Sequence, residues 1–308
     1  MTWDVRQLGS QTGRTFVVTG ANSGVGLETA RALVERGGAV VLAVRDTAKG
    51  DAARAEIVGH GRGLASVVAL DLADLDSVQE AAKRIAEEHP DVHGLICNAG
   101  IMGGPLELTA QGYERQMGTN HLGHAALVGA LWPQLVSAAG RVVLVTSVAS
   151  RGGRLGAGTT RDDLVAPSTY LQHAVYANTK QANLLFAQEL HRRSMRAGTP
   201  VSSVAAHPGV SATNLFARQL RERRLGVLVP VADRVMRLAL QSSAAGALPT
   251  LRALDHSTPS GALVAPASLG QTRGRPELVD VFSTGSDEVA AARLWELTEE
   301  LLGAPLPV

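Results

Sequence analysis

The chain has 308 residues, 45% hydrophobic and 19% charged, with a formal net charge of +1. That balance fits a globular protein and excludes a disordered chain or a strongly basic nucleic-acid binder. The one cysteine, Cys97, excludes an internal disulfide framework and fits a reducing compartment. Residues 1–14 lack the apolar segment of a signal peptide, and no apolar run approaches the roughly 18 residues of a membrane span. The expected location is the cytoplasm.

After a polar lead-in, residues 15–19 (TFVVT) form a compact β-branched run, a buried-strand signal. Residues 20–26 are glycine-rich, and 27–36 read as a helix ended by Gly37 and Gly38. A second apolar strand covers 39–44, then a helix 47–58 and a third strand 66–70. The helix over 74–88 has Asp74 as its N-cap and Pro90 beyond its end. Residues 95–97 begin a fourth strand that runs into Asn98, Ala99 and Gly100. One long helical segment is expected over 110–137, disturbed near Pro133.

A fifth strand follows at 141–146 (RVVLVT), then a loop over 150–172 and a long helix over 173–196. The sixth strand, 201–206, stops before Pro208 and Gly209. Residues 210–229 look irregular and carry Arg218, Arg221, Arg223 and Arg224. A helix over 232–254, a short seventh strand at 262–264 and a terminal helix over 286–302 complete the reading.

Continuously apolar strands alternating with helices imply a mostly parallel sheet covered on both faces. With no repeat and no linker, the expectation is a single α/β domain over 1–308, doubly wound, with its core at 14–265. In such sheets the ligand lies beyond the carboxyl ends of the strands.

The motifs fall at those ends. Gly20, Asn22, Ser23, Gly24, Val25 and Gly26 follow the first strand and open the first helix. Glycines let the backbone approach a phosphate, and the helix start offers unpaired N–H groups to it. The second strand ends in Arg45 and Asp46. An acid there accepts hydrogen bonds from the adenine ribose and selects NAD(H); an arginine pairs with a 2′-phosphate. With Arg45 first, NADP(H) is favoured and NAD(H) is the alternative; Asp46 also suits a helix cap. Asp71, at the end of the third strand, can accept from the adenine amino group, and Leu72 follows it. The small residues Asn98, Ala99 and Gly100 let the backbone lie against a flat cofactor. Ser147, at the tip of the fifth strand, can hydrogen-bond a substrate oxygen, with Ser150 as a nearby competitor. Tyr176 and Lys180 are four apart on the long helix, so they share a face. A lysine beside a tyrosine favours the phenolate, which suits acid/base work. His121 and His124 lack the further ligands of a metal site and read as structural, so no metal is expected.

Together these residues resemble the short-chain dehydrogenase/reductase superfamily. The matching set is TGANSGVG at 19–26, Asp71, NAG at 98–100, Asn120, Ser147, the YxxxK of Tyr176 and Lys180, and the PGxxxT of Pro208, Gly209 and Thr213. The detail is most similar to the retinol dehydrogenase and WW-domain oxidoreductase-like branch. The resemblance implies a Rossmann fold of about seven strands. It also implies an NADP(H)-dependent enzyme that interconverts an alcohol and its aldehyde or ketone. Tyr176 would then be the general acid/base, and Lys180 would hold the nicotinamide ribose and lower the phenol's pKa. Ser147 would position the reacting oxygen, Asn120 would hold a proton-relay water, and Thr213 would bind the cofactor near its nicotinamide end.

Several expectations accompany it. Ser147 and Tyr176 are 29 positions apart, more than the family's usual spacing, so 151–172 is an insertion expected over the site. Residues 210–229 would be a substrate lid, the substrate a small and apolar alcohol or carbonyl compound, and the assembly a homodimer. The apolar N-terminal anchor of the branch's membrane-associated members is not seen. The readings from other classes are a catalytically silent NADP(H)-binding regulator, and a sugar-nucleotide epimerase or dehydratase, whose glycine loop is spaced differently.

Overall fold

The computed structural model describes residues 3–59, 61–167, 169–209 and 241–308. Thr213, the arginines at 218–224, the expected lid at 210–229 and the first part of the helix expected over 232–254 lie outside the described residues.

Eight strands form one sheet: β1 Thr15–Thr19, β2 Ala39–Val44, β3 Leu64–Ala69, β4 Gly94–Cys97, β5 Arg141–Val145, β6 Ser202–Ala206, β7 Leu263–Ser268 and β8 Arg273–Val279. Their order is β3-β2-β1-β4-β5-β6-β7-β8. Every neighbouring pair is parallel except β7 with β8. The eighth strand was not expected. Its sequence, RGRPELV, is charged and carries Pro276, and its side chains are mostly exposed, so it lacks the apolar signal of a central strand. An edge position tolerates both features.

Alternation along the strands divides the core into two layers. Val17, Val41, Leu95 and Val142 face one layer of helices. Val18, Leu42, Ile96 and Val143 face the other. Helix α1 (Gly24–Glu35) buries Ala30, Leu33 and Val34, α2 (Thr47–Val58) buries Ala53 and Ile57, and α3 (Leu75–Glu88) buries Val78, Ala82 and Ile85. The chain moves outward from β1 to β3 and then returns to place β4 beside β1. That reversal opens a crevice between the carboxyl ends of β1 and β4.

The segment expected as one helix over 110–137 is instead broken. One helical turn, Arg115–Met117, leads into a π turn, Gly118–Leu122, then into helices Gly123–Ala130 and Trp132–Ser137. Pro133 opens the last of these, where its missing N–H costs nothing. The loop expected over 150–172 holds the end of a 3-10 turn, Val148–Gly152, and a short helix, Arg161–Val165. The terminal helix, expected over 286–302, runs Glu288–Leu302 with the Asp287 carboxylate as its cap, and a short turn, Ser283–Ser286, precedes it. Leu155, Leu164 and Val165 of the insertion form a third apolar cluster with Leu294, Leu297 and Leu301 of that helix and Ala182 and Leu185 of the long helix Gln172–Ala197. No helix among the described residues is long and apolar enough to cross a membrane.

Candidate active site

A cleft of about 900 Å³ lies along the carboxyl ends of the strands. The 20–26 loop forms its floor at the switch point. Gly20 (φ 66°) turns the chain out of β1, and Gly24 (φ 59°) turns it into α1; both are left-handed conformations that suit glycine. Ser23 stands at the N-cap of α1 in an extended conformation, with no side-chain capping bond, so its hydroxyl takes none of the first-turn N–H groups. At Gly26 a Cβ would lie 2.6 Å from the Gly20 carbonyl oxygen and 2.5 Å from Asn98 Nδ2. Gly20, Asn22, Ser23, Gly24, Val25 and Gly26 all line the cleft. Open N–H groups at a helix start, with no Cβ at the close approach, fit a diphosphate.

At one end the cleft is lined by Arg45, Asp46, Lys49, Asp71 and Leu72. The Asp46 carboxylate caps α2, accepting from Lys49 N at 3.1 Å and from Lys49 Nζ at 2.5 Å. The Lys49 hydrogen bond holds the Asp46 carboxyl below its usual range. Arg45 is exposed beside it. Lys49 was not singled out in the sequence; its signal is its place one turn into the helix that the Arg-Asp pair opens. Asp71 Oδ1 accepts from Ala73 N at 2.9 Å, so this residue makes a turn and faces the cleft together.

Thr19 ties the tips of β1 and β4. Its hydroxyl accepts from the N–H groups of Asn98 and Ala99, each at 2.9 Å, and its carbonyl accepts from Asn98 Nδ2 at 2.8 Å. Asn98, Ala99 and Gly100 line the cleft. A Cβ on Gly100 would lie 3.2 Å from Asn120 Oδ1 and 3.4 Å from Lys180 Nζ.

The other end holds Ser147, Tyr176 and Lys180. Lys180 is buried, and its Nζ donates to the Val145 carbonyl at 3.0 Å. Burial pulls its pKa from the ordinary 10.5 down to about 8. Its Nζ lies 5.9 Å from the centre of the Tyr176 ring. The phenol was expected to be pulled down by this lysine. In the protein alone burial instead pushes the half-buried Tyr176 up, and the Ser147 hydrogen bond is what opposes it. Ser147 N-caps the 3-10 turn, its Oγ accepting from Ala149 N at 3.2 Å. Ser150, the competitor, is buried with an unpaired hydroxyl and does not line the cleft.

Asn120 does not line the cleft either. It is fully buried behind the wall, its Oδ1 accepting from Ile101 N at 2.8 Å and its Nδ2 donating to the Ile101 carbonyl and to Thr179 Oγ1. Pro208 and Gly209 line the cleft at the tip of β6, and Gln241 Nε2 donates to the Pro208 carbonyl at 2.7 Å.

Sequence reasoning missed Ile101, Met102, Val148, Ala149 and His173, which line the same cleft. No local pattern marks them, because they come from three separate segments. The 151–172 insertion was expected over the site, yet none of its described residues lines the cleft. It packs against the C-terminal helix because its apolar residues find partners there. Its last residues still reach the wall: Tyr170 Oη donates to the Gly104 carbonyl at 3.2 Å, and Gln172 Oε1, at the start of the long helix, accepts from Gly104 N at 2.8 Å. His121 and His124 are buried and paired with Thr298 and with Thr19 and Asn120.

The short chain dehydrogenase family model matches residues 14–159. Human retinol dehydrogenase 12 is 42% identical over 205 residues, covering 66% of this chain and 63% of that protein. Mouse retinol dehydrogenase 12 is 35% identical over 294 residues, covering 94% of this chain and 87% of that one. Among solved structures, an uncharacterised protein from Mycobacterium paratuberculosis has a TM-score of 0.81 and 39% identity, with 100% of both chains covered.

Proposed function

The chain belongs to the short-chain dehydrogenase/reductase family, and from that premise we propose that it is an NADP(H)-dependent oxidoreductase interconverting an alcohol and its aldehyde or ketone. One observation carries the reading: a single cleft has the 20–26 backbone as its floor and Ser147, Tyr176 and Lys180 at one end. When bound, the nicotinamide cofactor supplies or accepts the hydride.

The chain's own residues do the rest. The N–H groups of the 20–26 loop would hold the diphosphate. Asp71 and Leu72 would flank the adenine, and Asn98, Ala99 and Gly100 would present a flat backbone to the cofactor. Lys180 would hold the nicotinamide ribose, and Pro208 and Gly209 would flank the nicotinamide. NADP(H) is favoured over NAD(H) because Arg45 and Lys49 set two cations at the tip of β2, whereas Asp46 is occupied by its cap and by Lys49.

Tyr176 is the general acid/base. Burial keeps its phenol protonated near neutral pH, ready to donate to a carbonyl oxygen. The Ser147 hydroxyl positions that oxygen. Lys180, with a pKa of about 8, can pass a proton onward, and Asn120 holds the relay behind it. Ile101, Met102, Val148 and Ala149 make the reacting end apolar, which favours an apolar alcohol, aldehyde or ketone, the class named by the retinol dehydrogenase relatives.

The test is a screen of apolar aldehydes and ketones, retinaldehyde included, that follows NADPH consumption by the wild type and by Tyr176→Phe. The expected result is turnover in the wild type and a loss of about 10²- to 10⁴-fold in the variant, with NADPH binding unchanged. Full turnover by Tyr176→Phe would sink the acid/base role. A cofactor-bound regulator would turn over nothing in the screen.

A further inference from the structure

His124 is fully buried, one helical turn beyond Asn120, and no step above uses it. We propose that His124 is a positioning residue whose Nδ1–H holds the Asn120 carbonyl, with Thr19 fixing its tautomer, and so fixes the wall beside Lys180. The inference rests on the function proposed above.

The hydrogen bonds define its tautomer. His124 Nδ1 lies 2.9 Å from the Asn120 carbonyl oxygen. A carbonyl only accepts, so Nδ1 carries the proton. Burial pulls the His124 pKa to about 3, so the ring is neutral and Nε2 is an acceptor. Nε2 lies 2.9 Å from Thr19 Oγ1. The Thr19 hydroxyl therefore donates to the ring, while its own lone pairs accept from the N–H groups of Asn98 and Ala99. One polarised chain runs from the cofactor-facing tip of β4, through Thr19 and His124, to Asn120.

The bridge needs one acceptor and one donor on opposite edges of a flat side chain, and a neutral imidazole supplies both. Asn120 lies in a π turn, where Gly123 N bonds Gly118 O, a backbone spacing that recurs at functional sites. Its Oδ1 and Lys180 Nζ abut the same point beside Gly100. A shift of Asn120 would move that wall, with Ile101 bonded to it through both N and O. His121, three residues earlier, has a different task. Thr298 donates to the Leu294 carbonyl, so His121 Nε2 donates to Thr298 and pins the helix Glu288–Leu302, away from the cleft.

Two isosteric variants separate positioning from packing. In H124N the amide nitrogen replaces Nδ1 and still donates to Asn120, while Thr19 turns to the Ile96 carbonyl, already 3.3 Å away. In H124Q the amide oxygen replaces Nε2, serves Thr19 and leaves the Asn120 carbonyl without its donor. With the aldehyde or ketone that the screen identifies, H124N is expected to keep kcat within about 3-fold, and H124Q to lose about 10- to 100-fold in kcat with the NADPH Kd within about 2-fold of wild type. As a control, H121N should lower the unfolding midpoint and leave kcat within about 2-fold. If H124Q does not fold, H124N against H124L decides: H124N retains turnover, and H124L, which lacks a donor for the Asn120 carbonyl, loses it. Equal kcat in H124N and H124Q, or in H124N and H124L, overturns the proposal, as does a loss that only tracks stability. These readings require Tyr176→Phe to be inactive; if it is active, the function proposed above has failed instead.

Discussion

Replacing Lys180 by methionine should remove turnover and stabilise the fold. Lys180 is a buried ammonium with one acceptor among the described residues, the Val145 carbonyl. A depression of its pKa from 10.5 to about 8 corresponds to about 3 kcal/mol of lost folding stability. Methionine matches the side chain's length and needs no solvation. The Val145 carbonyl keeps a donor, Asn183 Nδ2 at 3.2 Å, so losing the lysine contact costs about 1 kcal/mol at most. The net gain for Lys180→Met is about 2 kcal/mol below pH 8. There the lysine is charged in the folded and the unfolded chain alike, and the full burial cost applies. Between about pH 8 and 10.5 the folded chain has released the proton and the unfolded chain has not, so wild-type stability rises with pH and the gain shrinks. Urea unfolding of both proteins at pH 7 and pH 10, without added cofactor, measures it. A variant less stable than wild type at pH 7, or a difference that does not change with pH, would refute the reasoning.

Three further outcomes follow from the geometry. Lys49→Gln should weaken NADPH binding about 10-fold at low salt and leave NADH binding unchanged, as read by fluorescence titration of each cofactor; an equal effect on both would remove Lys49 from the 2′-phosphate. Gly26→Ala places a methyl against the Gly20 carbonyl and the Asn98 amide, so it should cost about 1–3 kcal/mol and weaken cofactor binding; an unchanged melting temperature would contradict the close approach. Cys97 is buried, and burial raises its thiol pKa, so alkylating reagents should label it only after unfolding; rapid labelling of the native protein would show an open strand.

The central strands were legible because they are apolar on both faces, and the 20–26 loop because it stands between a strand and a helix; the Tyr176–Lys180 pair, weak by its spacing alone, was legible through the other motifs around it. The break at 118–122 was not. Its π turn depends on Asn120 bonding to Ile101 and Thr179, which are distant in sequence. Strand β8 was hidden because an edge strand with Pro276 carries no apolar run. The apolar wall of Met102, Val148 and Ala149 is likewise a product of tertiary assembly. The position of Asn120 behind the wall, rather than on it, follows from burial that its local sequence does not encode.

The third apolar cluster ties the helix that bears Tyr176 to residues 288–302. A growing chain cannot yet make that contact: Ala182 and Leu185 lack this cover until Leu294, Leu297 and Leu301 have been synthesised. Strands β1 to β4 are synthesised roughly two hundred residues earlier, although Leu33 and Val34 of α1 also wait for Ala247, Leu251 and Leu254. The first four strands can therefore pair early in translation, while the helix that bears Tyr176 gains a fixed setting only as residues 288–302 dock.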